Sequence, residues 1–335
     1  RRPRCTLMSV PHSELMQLAM AQGDKARLHS SPNPWVGALI TDQFGVVIAE
    51  GHTQAPGESH AEIDALRHAG DKANGATLVV TLEPCCHTGR TGPCVEAIVA
   101  AGIKKVIIGI TDPDQRVSGQ GIAFLKDAGI EVITGVEEDA VAQQLAPYIW
   151  HRKTGRPYVV AKIASTLDGV VAMADGTSKW ITSEAARQDS HLLRAQSQAI
   201  LVGAGTVRAD NPELTARLGD IILEPLRVVL GSVSKDARVQ PCLELSGDLG
   251  HVLDELGGHD VLQVLVEGGP TTISAFLEAG LVNHIVWYQT PAIAGSKGTV
   301  GALNNLSTPT IEALRRGHLV DVRRIGEDIR LDVEV

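Results

Sequence analysis

His60-Ala61-Glu62, and further on Thr81-Leu82-Glu83-Pro84-Cys85-Cys86-His87-Thr88-Gly89-Arg90-Thr91-Gly92-Pro93-Cys94, form the stretch on which the rest of the chain turns. One His and two Cys can supply three ligands to a tetrahedral zinc and leave the fourth position for water. A metal-bound water loses a proton near neutral pH and becomes a nucleophile. Glu62 stands two residues past the His, placed to shuttle that proton rather than to bind the metal. A closed structural site, with Cys86 and His87 as further ligands, is the competing reading, and it would leave Glu62 without a task. The conjunction of His-Ala-Glu, Glu-Pro-Cys and a Cys nine positions later favours an open site on His60, Cys85 and Cys94. Cys85 is preferred to Cys86 because Pro84-Cys85 is expected to start a helix, whose N-terminus favours a thiolate.

Outward from this stretch, strands and helices alternate. His12 to Arg27 reads as a helix with Leu15, Leu18 and Ala19 on its apolar stripe. Ser31-Pro32-Asn33-Pro34 is a rigid turn. It leads into a strand from Val36 to Ile40, paired with Val46 to Glu50 across Asp42-Gln43-Phe44-Gly45. A helix is expected from His60 to Ala69, a buried strand from Thr77 to Leu82 and a second metal-side helix from Pro93 to Ala101. Lys105–Ile110 and Ile130–Thr134 read as strands flanking a helix at Gly119–Ala128, so a sheet with helices on both faces follows. Asn33 is either a turn former between two prolines or a hydrogen-bonding group for a polar substrate, and turn chemistry leaves both open.

Length and composition bound the rest. A chain of 335 residues suffices for two ordinary domains. Only 3% of residues are aromatic against 44% hydrophobic, so the cores must be built from Val, Ile, Leu and Ala. A net charge of −9 argues against a general nucleic-acid binder. Three of the five cysteines cluster at the metal stretch and no disulfide framework remains, which points to a reducing cytoplasm. No apolar run reaches the length of a membrane span, and no signal peptide is expected ahead of the first domain.

A helix is expected over Glu138–Ile149, and Thr154-Gly155-Arg156-Pro157 is a break between domains. Tyr158–Ala164, Ala199–Val202, Leu226–Leu230 and Val261–Val266 then read as strands, and Ser183 caps a helix from Glu184 to Ala195. The last of these strands ends in Glu267-Gly268-Gly269-Pro270-Thr271 before a helix at Thr272–Ala279. Such a turn exposes backbone N–H groups that suit a phosphate. It is not the Gly-x-Gly-x-x-Gly fingerprint, so a standard Rossmann cofactor site is not supported.

These motifs together resemble the bifunctional riboflavin-biosynthesis deaminase/reductase family. The likeness rests on Pro32-Asn33-Pro34-x-Val36-Gly37, His60-Ala61-Glu62, Thr81-Leu82-Glu83-Pro84-Cys85, Gly89-Arg90-Thr91-x-Pro93-Cys94 and Asp112-Pro113 with Gly119-x-Gly121. It continues through Lys162, Ser165-x-x-Asp168-Gly169, Ser178-x-Trp180-Ile181-Thr182, Arg194, Gly203-x-Gly205-Thr206, Asp210-Asn211-Pro212-x-Leu214, Arg217 and Glu267-Gly268-Gly269-Pro270. The resemblance implies a cytidine-deaminase-like three-layer α/β/α domain over residues 8–147 and a dihydrofolate-reductase-like α/β domain over 156–335. It implies zinc on His60, Cys85 and Cys94, and NADPH against Ala164, Trp180, Thr206, Asp210, Ser232, Gly269, Pro270, Thr271, Thr272, Ile273, Ser274 and Ala275. Substrate contacts carried over are Asn33, Arg90, Ser178, Arg194, Leu214, Arg217 and Glu267. Arg194 and Arg217 suit a ribose phosphate because guanidinium binds phosphate in a fork, though a surface salt bridge is the plainer role.

Glu62 is the expected proton carrier in the deaminase, and Lys162, Asp210 and Glu267 are candidates for proton delivery in the reductase. Two departures stand out. Family members often carry His at the position of Thr53; here His52 is displaced by one, toward the opposite face of a strand. The segment from Ser232 to Glu267 is also short, so a strand and helix are either lost or residues are missing there; the intact flanking motifs favour the second. The expected activity is zinc-dependent deamination of a diaminopyrimidinone ribosylamino phosphate, then NADPH-dependent reduction of ribosyl to ribityl. The enzyme is expected to be a cytoplasmic homo-oligomer acting on this small molecule, with neither nucleic acid nor membrane as partner. The rivals are a deaminase with an inactive reductase domain and a zinc-stabilised nucleotide-sensing module.

Overall fold

The computed structural model describes residues 10–87, 92–114 and 117–335. Arg1 to Arg4, Cys5 and Arg90 lie outside these residues. The chain divides into two compact units, at Arg1–Thr154 and Gly155–Val335. Among the described residues no helix is long and apolar enough to cross a membrane.

The first unit opens with α1 (His12–Ala26), β1 (Gly37–Thr41), β2 (Val47–His52), α2 (Ala61–Ala69) and β3 (Thr77–Leu82). There follow α3 (Cys94–Ala100), β4 (Lys105–Ile110), α4 (Gln120–Asp127), β5 (Glu131–Ile133), α5 (Glu138–Gln144) and α6 (Ala146–Thr154). The five strands form one sheet in the order β2-β1-β3-β4-β5, antiparallel up to β3 and parallel beyond it. All five residues of β1 are buried, as are the last five of β3 and of β4, so both faces of the central strands are covered. Helix and strand approach closely at Gly51, where a Cβ would lie 2.3 Å from the Ala65 nitrogen. That glycine lets α2 lie on β2 and fixes the helix start that carries His60 and Glu62.

Three local expectations are corrected. Leu18 is 44% exposed, and Met16 takes its place in the buried stripe of α1. Pro84-Cys85 does not begin a helix: the chain runs without regular structure from Glu83 to Cys86. The single helix expected over Glu138–Ile149 is two, broken at Leu145; Pro147, with no N–H to give, sits in the first turn of α6.

The second unit contains β6 (Tyr158–Ser165), β7 (Val170–Ala172), α7 (Glu184–Ala195), β8 (Ala199–Gly203), α8 (Ala204–Asp210), β9 (Ala216–Leu218), β10 (Ile221–Leu223) and β11 (Leu226–Leu230). Next come β12 (Leu243–Leu245), α9 (Leu249–Gly258), β13 (Gln263–Val266), α10 (Pro270–Glu278), β14 (His284–Gln289), β15 (Val300–Gly301), β16 (His318–Ile325) and β17 (Asp328–Glu334). Eight strands form the main sheet in the order β12-β11-β8-β13-β6-β14-β17-β16. Pairing is parallel from β12 to β14 and antiparallel from β14 to β16. Successive side chains of a strand point to opposite faces. Val159, Ala161, Val264 and Val266 accordingly enter one core with Phe276, and Val160 and Leu265 enter another with Leu193, Val286 and Tyr288. The Ser183 hydroxyl accepts the Ala186 N–H at 3.3 Å and so caps α7.

The short segment before Glu267 needs neither explanation offered for it. It contains both a strand, β12, which pairs in parallel with β11, and a helix, α9. β12 thus forms the edge of the parallel side of the main sheet.

Candidate active sites

In the first unit, β3 delivers Glu83-Pro84-Cys85 to the sheet's carboxyl edge. The Glu83 carboxylate is buried and accepts three backbone N–H groups, from Asp112 at 3.1 Å, Gly119 at 2.9 Å and Ile122 at 3.1 Å. These bonds hold the segment extended, which is why Cys85 lies in a loop. The Cys85 carbonyl accepts the Val95 N–H at 3.2 Å, and its Sγ accepts the Cys94 N–H at 3.4 Å. The start of α3 is thereby docked on the Cys85 loop, while His60 stands at the N-cap position of α2.

The three ligand atoms converge. His60 Nδ1 lies 3.5 Å from Cys85 Sγ and 3.4 Å from Cys94 Sγ, and all three are within 4.8 Å of one another. Ordinary Zn–S and Zn–N bonds in a tetrahedron set such atoms roughly 3.6 Å apart, so the donor set fits zinc. No other group of three His, Cys, Asp or Glu residues comes together in this way among the described residues. Cys86 is outside the cluster, with its Sγ 4.0 Å from Gln120 Oε1.

The electrostatics follow from burial and contact. Hydrogen bonding from Cys94, with His60 adding to it against the effect of burial, draws the Cys85 thiol down to about 4, while contact with Cys85 and burial push Cys94 up. Contact with Cys85 raises His60, against the opposing effect of burial. Burial pushes Glu62 up to about 7, and the Cys85 thiolate adds to this. A 250 Å³ cavity opens here, lined by Asn33, Thr53, His60, Glu62 and Cys85 together with Asp112, Asp114, Tyr148 and Arg152. Thr53 faces the cavity; His52 does not line it, and its N–H donates to Asp64 at 3.2 Å.

The last four lining residues escaped the sequence reading as site residues. Asp112 was visible only as part of a motif. The Tyr148 hydroxyl donates to both its carboxylate oxygens, at 3.1 and 3.3 Å, and burial pushes Asp112 up to about 6. Nothing in the spacing of residues 112 and 148 announces that contact.

In the second unit, an 880 Å³ cavity lies at the carboxyl ends of β6, β8, β11 and β13, where ligands of parallel sheets bind. Lys162, Ala164, Ser178, Thr206, Asp210, Ser232, Glu267, Gly269, Pro270, Thr271, Thr272 and Ile273 all line it. The Gly269 N–H donates to Thr206 Oγ1 at 3.2 Å and ties the glycine turn to α8. Six expected residues do not line the cavity. Trp180 is 71% exposed, with the Arg187 guanidinium 4.4 Å over its ring. Ser274 is buried and accepts the Asn304 N–H at 3.0 Å, and Ala275 is exposed on α10. Leu214 is buried in the core beneath α8. Arg217 pairs with Glu213. Arg194 grips Glu267 through Nε–Oε1 at 2.9 Å and Nη2–Oε2 at 2.6 Å.

Burial would raise Glu267, but Arg194 and then Lys162 outweigh it and hold the carboxylate down at about 2. Burial lowers Lys162, with Glu267 opposing. An ammonium beside a fixed carboxylate thus faces the cavity. Arg208 also lines it, a residue the sequence reading passed over although it stands two positions after Thr206.

Two family models match the chain. "Cytidine and deoxycytidylate deaminase zinc-binding region" covers residues 9–110, and "RibD C-terminal domain" covers residues 157–331. The chain is 41% identical over 331 residues to riboflavin biosynthesis protein RibD of Mycobacterium tuberculosis, spanning 96% of each. Among solved structures, RibD of Acinetobacter baumannii superposes with a TM-score of 0.90 at 37% identity, covering 96% of this chain and 98% of the other. A diaminohydroxyphosphoribosylaminopyrimidine deaminase/5-amino-6-(5-phosphoribosylamino)uracil reductase from Thermotoga maritima gives 0.86 at 34% identity, with the same coverage.

Proposed function

The chain belongs to the bifunctional riboflavin-biosynthesis deaminase/reductase family, and from that membership we propose how its residues divide the two reactions. It is an enzyme with a zinc-dependent deaminase domain, cytidine-deaminase-like, and an NADPH-dependent reductase domain, dihydrofolate-reductase-like. The first reaction hydrolyses the amine from 2,5-diamino-6-(5-phosphoribosylamino)pyrimidin-4(3H)-one; the second reduces the ribosyl side chain to ribityl. Neither an inactive reductase nor a nucleotide-sensing module is favoured.

Residues 8–147 are assigned to the deaminase and 156–335 to the reductase. His60, Cys85 and Cys94 would hold the zinc, which when bound supplies Lewis-acid activation of water. Glu62, buried beside the three ligands, takes the proton released and returns it to the departing amine nitrogen. Asn33, which lines the same cavity, is assigned to orienting the ring, and Arg90 to the ribose phosphate. The observation that carries this reading is the convergence of His60, Cys85 and Cys94 on one another, beside a small cavity that His60, Cys85 and Glu62 line.

In the reductase, Ala164, Thr206, Asp210, Ser232, Gly269 and the first turn of α10 through Ile273 would hold NADPH, which supplies the hydride. Trp180, Ser274 and Ala275 remain cofactor assignments by resemblance alone. Lys162, Glu267 and Asp210 are the groups for proton movement, and Ser178, Arg194, Leu214 and Arg217 complete the substrate set. Arg194 fixes Glu267 rather than presenting a free fork, so it acts on substrate from within that ion pair. We place the enzyme in the cytoplasm, acting on a small molecule as a homo-oligomer; exposed Leu319, Val322 and Ile329 on the edge hairpin support self-association. The net charge of −9 supports the exclusion of nucleic acid.

The test supplies each reaction's substrate separately. Chelation of zinc should abolish ammonia release and leave NADPH-dependent reduction of the deaminated intermediate intact. Loss of reduction on chelation, with the protein still folded by circular dichroism, would show that the two sites are not independent.

A further inference from the structure

Four residues lining the reductase cavity carry charge: Lys162, Arg208, Asp210 and Glu267. Lys162 and Glu267 act on one another, and Glu267 is also held by Arg194. Arg208 is different. It is exposed on α8, and no hydrogen bond or ion pair engages its guanidinium among the described residues. Its Nη2 lies 4.0 Å from where a side chain at Gly205 would begin, so the head folds back toward the start of α8. Glycine at that helical position costs about 1 kcal/mol relative to alanine; here it leaves that side of the guanidinium open.

The neighbouring wall is also polar. β8 and β11 run parallel with Gly203 opposite Leu230, so α8 and the Gly231-Ser232 turn leave the sheet side by side. A Cβ at Gly231 would lie 3.2 Å from the Ala204 Cβ. A free guanidinium and a hydroxyl therefore border the same cavity, a pairing that suits a phosphate. The start of α10, which borders the same cavity, is the kind of helix N-terminus that suits a pyrophosphate. NADPH carries one further phosphate, on the adenosine 2′-oxygen, and an arginine is the usual means of accommodating it.

We propose that Arg208 is a specificity-determining residue, recognising the adenosine 2′-phosphate and setting the preference for NADPH over NADH. The inference rests on the reading of this cavity as the dinucleotide site. Arg208 is exposed and is tied to no other residue by a hydrogen bond or ion pair among the described residues, so its replacement should leave the fold intact.

The test compares ligands that differ only in the 2′-phosphate. Binding of adenosine 2′,5′-bisphosphate and of adenosine 5′-monophosphate is measured by calorimetry on the full chain and on Arg208→Ala and Arg208→Lys, alongside KM for NADPH and NADH. Loss of a charged hydrogen-bonding partner should weaken the bisphosphate and NADPH by ~10–100-fold. The monophosphate and NADH should change less than about twofold, with Arg208→Lys falling between the alanine variant and the parent. Equal weakening of both ligands of a pair, or of neither, overturns the proposal while leaving the dinucleotide site standing. A parent enzyme that binds the bisphosphate and monophosphate alike, and NADPH and NADH alike, overturns the NADPH reading together with it.

Discussion

Glu267→Gln isolates what the Arg194–Glu267 pair contributes to folding. The carboxylate is held by two hydrogen bonds, at 2.9 and 2.6 Å, with only 6% of its side chain and 21% of Arg194 exposed to solvent. Its value of about 2 lies well below the ordinary 4.5 because Arg194 and Lys162 outweigh burial. At ~1.4 kcal/mol per pH unit, that gap makes ionisation of Glu267 in the fold worth on the order of 3 kcal/mol at neutral pH. The sign is that of a depressed carboxylate. The contribution is present above pH 4.5 and is lost as pH falls toward 2. Glutamine cannot titrate, so the parent should exceed the variant by ~3 kcal/mol from pH 5 to 8, the difference shrinking to ~2 kcal/mol at pH 3.5. Native-state hydrogen exchange at the amides of β6 and β13 measures this in the second unit alone. A gap below ~0.5 kcal/mol at pH 7, or one unchanged between pH 7 and 3.5, would refute the reasoning.

The metal assignment predicts that Cys94→Ala loses zinc and deaminase activity while Cys86→Ala keeps both; equal zinc loss by elemental analysis would overturn the ligand set. Glu62→Gln preserves volume but cannot accept a proton, so zinc should stay bound and ammonia release should fall at least ~100-fold; a variant retaining most of its rate removes the proton-carrier role. Asp112 is raised by burial from 3.8 to about 6, so its protonated form favours the fold below 3.8 and that advantage is lost as pH rises through 6. Asp112→Asn, which keeps an acceptor for Tyr148, should therefore gain stability relative to the parent as pH rises, by up to ~3 kcal/mol at pH 8 and less at pH 5. Melting temperatures at the two pH values check this, and a gain that does not grow with pH would contradict the burial argument.

Much of this was legible in one dimension. Thr77–Leu82, Lys105–Ile110 and Leu226–Leu230 declare themselves as strands because each is a short apolar run bounded by turn residues. Ser183 announces the start of α7 because a cap is a contact over three residues. The zinc ligands were legible because ligand chemistry restricts residue type so strongly that identity and order suffice. What failed was set by partners remote in sequence. Cys85 is in a loop because Glu83 beside it is spent on the amides of Asp112, Gly119 and Ile122, a demand that helix propensity at Pro84 does not contain. Arg194 had the residue type for a phosphate, yet the sheet order sets it against Glu267, and its charge is largely answered within the protein. Tyr148 and Arg208 drew no notice, since neither type nor spacing marks them; Tyr148 meets Asp112 only when α6 reaches the loop that follows β4, and Arg208 meets a cavity only where parallel strands end together. Sequence determined many of the elements and the metal chemistry because those depend on near neighbours and on residue type; which charges stay free was decided by tertiary packing, because an ion pair between distant segments has no signature until the chain brings them together.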